Sequence, residues 1–73
     1  MSDDYRDHER DAEAAYDAMY DARRPKDAYE DATDALRRAI KAAEAAGETG
    51  EAKRLEARRD HVREVYRKQF RSW

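Results

Sequence analysis

The stretch YEDATDALRRAIKAAEAAGETG, residues 29–50, decides the fold of this chain. Tyr29, Ala32, Leu36, Ala39, Ile40 and Ala43 recur in it at steps of mostly three and four, the spacing that lines up side chains on one face of an α-helix. Charged residues, Thr33 and further alanines fill the positions between. Gly47 can adopt the left-handed backbone that closes a helix. Thr49 can cap the helix that follows. So short a connection favours antiparallel neighbours, and the second half of the chain reads as a helical hairpin.

Working toward the C-terminus, a third helix is expected over about residues 50–71, with Ala52, Leu55, Val62, Val65, Tyr66 and Phe70 as its apolar positions and Trp73 beyond it. Arg58 and Arg59 interrupt that stripe. Working toward the N-terminus, Arg23-Arg24-Pro25-Lys26-Asp27 is a break, because proline lacks an N–H and clashes with the preceding turn. Pro25 suits the first position of a new helix, giving a second segment over about 26–46, with Asp27 as the other candidate start. A first helix is expected over about 3–23, capped by Ser2, with Tyr5, Ala12 and Met19 on one heptad position and His8, Ala15 and Ala22 on its partner.

Composition sets the limits on what such helices can do. Of 73 residues, 47% are charged, yet 16 Lys+Arg against 18 Asp+Glu leave a net charge of only −2. Leu, Ile, Val and Phe are scarce, and five Tyr and the alanines must supply much of the core. A chain this short sits near break-even, since ordering costs about 1.5 kcal/mol per residue, so marginal stability or stabilisation by association is expected. No cysteine is present, so disulfides and thiolate metal sites are excluded. No run approaches the roughly 20 apolar residues a membrane span needs. The acidic start carries no basic-then-apolar leader, which predicts a cytoplasmic protein. Charge is polarised along the chain: residues 1–34 carry a net −7 and residues 35–73 a net +5.

The fold predicted is all-α: one domain over residues 1–73, an up-down-up bundle of three helices. Its runner-up is a helical hairpin over 27–71 that dimerises, with a loosely packed first helix. Ala32-x3-Leu36-x2-Ala39 followed by Gly47 resembles part of the second helix of a tetratricopeptide repeat. The pattern of the preceding helix is absent and nothing repeats at that family's period, so no function is carried over from it.

The polar pattern with most chemistry in it is a row of arginines. Arg59, Arg63, Arg67 and Arg71 recur every four residues on the third helix, with Tyr66, Phe70 and Trp73 among them. Arginines in such a row can neutralise successive phosphates, and interleaved aromatics can stack on bases. They can equally pair inside the fold. Glu9, Glu13, Asp17 and Asp21 recur at the same step on the first helix, which runs parallel to the third in an up-down-up bundle. The sequence leaves open which of the two holds, and the net acidity favours internal pairing or a solvated face.

Other constellations are weaker. The bundle-type dimetal motif needs Glu three residues before His, and those positions hold Tyr5 and Arg58, so no metal site is expected at His8 or His61. No nucleophile, no glycine-rich phosphate loop and no converging carboxylates suggest catalysis, so neither an enzyme nor a cofactor nor a small-molecule substrate is expected. A membrane surface is disfavoured by the acidic first helix. The functional expectation is a protein–protein interaction module, self-associating or docking on a partner through Tyr66, Phe70, Trp73, Arg59, Arg63, Arg67 and Arg71. Nucleic-acid binding through the arginine row is the alternative.

Overall fold

In the computed structural model three helices follow one another: α1 (Tyr5–Asp21), α2 (Pro25–Ala45) and α3 (Thr49–Tyr66), with a π-helical turn over Arg67–Arg71 continuing α3. The structure describes residues 4–21, 23 and 25–71, the last two by their backbone. Among the described residues there is no strand. Helix α2 is central: α1 and α3 both pack on it, and it buries Ala28, Ala32, Ala35, Leu36, Ala39, Ile40 and Ala43. The Cα trace measures 40 × 23 × 12 Å, an elongated and rather flat bundle.

The helix ends follow from local chemistry, in places differently from the sequence expectation. Helix α1 starts at Tyr5 because Asp4 caps it: the Asp4 Oδ1 accepts the Arg6 N–H at 3.0 Å, and its carbonyl accepts the Asp7 N–H at 3.1 Å. The expected cap, Ser2, lies outside the described residues. Pro25 takes the first position of α2, where its missing N–H is no loss. Gly47, at φ +77°, builds the stop: its N–H reaches the Glu44 carbonyl at 3.0 Å and the Glu48 N–H reaches the Ala43 carbonyl at 2.8 Å. These are the two bonds of a Schellman closure. Thr49 is not the cap of α3, as expected, but its first residue. The closure uses the Glu48 N–H and turns the chain at once, so the Glu48 carbonyl already accepts the Ala52 N–H and Thr49 falls inside the first turn.

The core is small and mostly alanine. Among the described residues, Met19, Leu36, Leu55 and Val62 are the large side chains with essentially no exposure. One cluster joins Tyr5 and Ala12 of α1 to the alanines, Leu36 and Ile40 of α2 and to Ala52, Leu55 and Val62 of α3. A second gathers Met19, Ala28 and Tyr66 at the other end, with Tyr16, Tyr29 and Val65 against it. There Tyr29 and Tyr66 stack face to face, ring centroids 4.1 Å apart and 12° from parallel. The loosely packed first helix of the runner-up fold is therefore not what forms, since Tyr5, Ala12 and Met19 are all buried. Alanine makes this possible: with no side chain beyond Cβ, α1 and α2 approach closely and still exclude water.

Candidate interaction surface

Helices α1 and α3 are tied by two arginine–carboxylate clasps. Arg54 donates through both terminal nitrogens to Glu9, at 2.8 and 2.9 Å. Arg58 donates through Nε and Nη2 to Glu13, at 2.8 and 2.7 Å. Both clasps join residues 45 apart, so the two helices run parallel in fixed register. The fork of the guanidinium matches the two carboxylate oxygens, the strong form of such a pair. Arg58 also lies over the Tyr16 ring, 4.9 Å from its centroid. Tyr16 meets Tyr20 edge to face at 5.5 Å, and their hydroxyls hydrogen-bond at 3.0 Å. That bond, followed by burial, pushes the Tyr16 phenol up.

The clasp holds Glu9 below the usual carboxylate range, chiefly through the hydrogen bonds from Arg54. Glu9 therefore adds stability in full above its unfolded value, about 4.3, and loses it as pH falls through the lower folded value. In thermal melts between about pH 6 and 3, the wild type is expected to lose Tm more steeply than Glu9→Gln. Equal slopes would remove Glu9 from the acid response.

Internal pairing between α1 and α3 thus exists, but with other arginines than the row Arg59, Arg63, Arg67 and Arg71. Successive helical residues are turned by about 100°, so the row beginning at Arg58 and the row beginning at Arg59 face different neighbours. Leu55, Val62 and Tyr66 point at α2, which turns Arg54 and Arg58 toward α1 and leaves Arg63 and Arg67 on the opposite flank. These pair within α3 instead: Arg63 with Asp60 at 3.8 Å and Arg67 with Glu64 at 2.6 Å. Arg59 is half-buried, 4.0 Å from Asp60, and its Nε is buried without a hydrogen-bond acceptor. Asp17 and Asp21 are exposed and take no part in the clasps.

Of the aromatics assigned to this surface, Tyr66 belongs to the core. It lies eleven residues after Leu55 and four after Val62, hence on their face, and is 8% exposed in its stack with Tyr29. The side chains of Phe70 and Arg71, and Trp73 entirely, lie outside the described residues. Tyr20 is the exposed large hydrophobic among those described, at 49%. Beside the stack, a shallow groove of about 430 Å³ is lined by Lys26, Tyr29, Glu30 and Tyr66. Among the described residues no three His, Cys, Asp or Glu side chains are grouped to hold a metal ion, and no helix is long and apolar enough to cross a membrane.

Arg54 and Arg58 add to the basic character of α3 in the sequence, but their pairing with Glu9 and Glu13 does not follow from the four-residue spacing of the arginine row. Their signal is the phase of Leu55, Val62 and Tyr66, which fixes the face turned to α2 and with it the arginines that turn to α1. No protein family, curated protein or solved structure matches this chain.

Proposed function

We propose that this chain is a protein–protein interaction module that docks on a partner through the outer face of α3, formed by Arg63 and Arg67 with the half-buried Arg59 at its inner edge, and through Phe70, Arg71 and Trp73, which follow in the sequence. The observation that carries this reading is the direction of the row. Arg63 and Arg67 face away from α1, so the acidic helix does not neutralise them, and they are 55% and 64% exposed. Among the described residues their ion partners are Asp60 and Glu64, three residues back on the same helix. Such exposed pairs contribute about 0–1 kcal/mol, so a partner's carboxylates can replace them at little cost.

A face on which acidic and basic residues alternate suits a protein surface better than a phosphate backbone, which would meet Asp60 and Glu64 as well as the arginines. The test is a photo-crosslinker placed at Asp60, which is exposed beside Arg63 on this face, read on whole-cell protein. The wild-type face is expected to give a discrete cross-linked protein. Arg63→Glu/Arg67→Glu is expected to lose it with helicity unchanged, and Phe70→Ala or Trp73→Ala to weaken it. Titration with single- and double-stranded DNA and RNA at low salt decides the alternative. Binding there that the double variant abolishes would replace the protein partner by a nucleic acid.

A further inference from the structure

The exposed face of α2 that turns away from its buried stripe and borders α1 at one end carries Asp27, Asp31, Asp34, Arg38, Lys41 and Ala45. These positions step by four, three, four, three and four, the spacing of a helix–helix seam. The seam changes sign at its middle: three aspartates come first, then two cations. Asp34 has Arg37 beside it at 3.5 Å, while Asp27, Asp31, Arg38 and Lys41 have no ion partner within the chain among the described residues.

Neither of the ordinary explanations accounts for this segregation. The helix dipole favours acids early and bases late, but only within the first and last turns. Asp31, Asp34 and Arg38 lie deeper than that in a helix running from Pro25 to Ala45. Pairing within the helix would set opposite signs at three- and four-residue steps. Here Asp27 and Asp31, Asp31 and Asp34, and Arg38 and Lys41 are like-charged neighbours at those steps, which is unfavourable within a single helix.

We infer that this face of α2 is the contact surface for a second copy of the chain, laid antiparallel about a two-fold axis level with Leu36. In the layering usual for antiparallel helices, Asp34 then meets Arg38 of the second copy, Asp31 meets Lys41, and Asp27 meets Ala45. Each layer occurs twice, and no layer opposes like charges. With Glu30 and Arg37 at its edge included, the seam holds four acids and three bases per copy, so it is close to neutral. The helix dipoles run opposed, which adds to the fit. At the basic end the seam borders a groove of about 340 Å³ lined by His8, Arg38, Lys41, Ala42 and Ala45, open to receive the aspartates of the other copy. The contact is electrostatic with little apolar area, so the dimer is weak and salt-sensitive, and it leaves the outer face of α3 uncovered. Because the two surfaces differ, this inference and the proposed function stand or fall separately.

The experiment is sedimentation equilibrium on the full chain at about 0.1 M and 1 M salt, where screening lengths are about 10 and 3 Å. A dimer is expected at the lower salt, with its dissociation constant rising roughly tenfold or more at the higher. Asp31→Lys/Asp34→Lys and Arg38→Glu/Lys41→Glu are each expected to be monomeric, and their equimolar mixture to form a one-to-one dimer. Helical circular dichroism checks the fold of each variant; should a reversal unfold, Asp31→Ala/Asp34→Ala replaces it and is expected to weaken the dimer likewise. A wild type monomeric throughout, a dimer that both variants preserve, or a helical mixture that does not associate would each overturn the inference.

Discussion

Leu36→Ala is expected to lower stability by about 3 kcal/mol, within the range of about 2–5 for deleting a buried leucine. Leu36 has no exposure and lies in the cluster that joins all three helices. The replacement keeps helix propensity at its best, so the loss is burial and cavity alone. Its neighbours are largely alanines, which have no side-chain reach with which to fill the space. A domain of 73 residues has roughly 4–11 kcal/mol in all, so one methyl-rich side chain accounts for a large part of it. Urea unfolding followed by helical circular dichroism should show the midpoint falling with little change in slope. The thermal midpoint should fall by about 12–24 °C. A shift under about 1 kcal/mol would mean that α2 does not organise the core.

Ala12→Leu is expected to destabilise by about 1–3 kcal/mol, although leucine is nearly as good a helix former. Ala12 is 1% exposed and shares a cluster with Ala32, Ala35 and Ala39 of α2. Three added carbons there must push the helices apart or force a strained rotamer. Ala14→Leu, on the exposed side of the same helix, is the control and should lie within about 0.5 kcal/mol of wild type. The comparison isolates packing from propensity in a single helix. If Ala12→Leu were as stable as the control, the close approach of α1 and α2 would be wrong.

The architecture was legible because α2 writes its periodicity in the sequence and because Gly47 and Pro25 mark where it ends. What was not legible turned on single residues. Ser2, Asp4, Glu48 and Thr49 lie beside the helix starts, and candidate caps differ by one or two positions. Which one serves depends on the incoming chain, as when the closure around Gly47 places Thr49 inside α3. The arginine rows have the same character. Arg58 and Arg59 are neighbours in sequence but about 100° apart around the helix, so a reading by spacing alone could not choose between them. Tyr66 stands in the sequence both in the apolar stripe of α3 and among the aromatics at its end, and its spacing from Leu55 and Val62 decides for the inside. The charge reversal along α2 is visible in the sequence too, but it acquires meaning only once the opposite face is known to be buried.

The two clasps between α1 and α3 have a further consequence. A helix interface made of alanines is smooth: its small knobs leave little to stop one helix sliding along another. Helix α3 is indexed against α2 by Leu55, Val62 and the tyrosine stack, while α1 has Met19 and Tyr5 as buried large teeth on that side, with Tyr16 at the edge. Glu9 and Glu13, four apart, engage Arg54 and Arg58, also four apart, like a two-pin plug. A slip of four residues, about 6 Å, would leave one pin seated and the other empty. The clasps therefore act as a length gauge for the bundle, selecting one alignment of α1 among several that the alanines alone would tolerate.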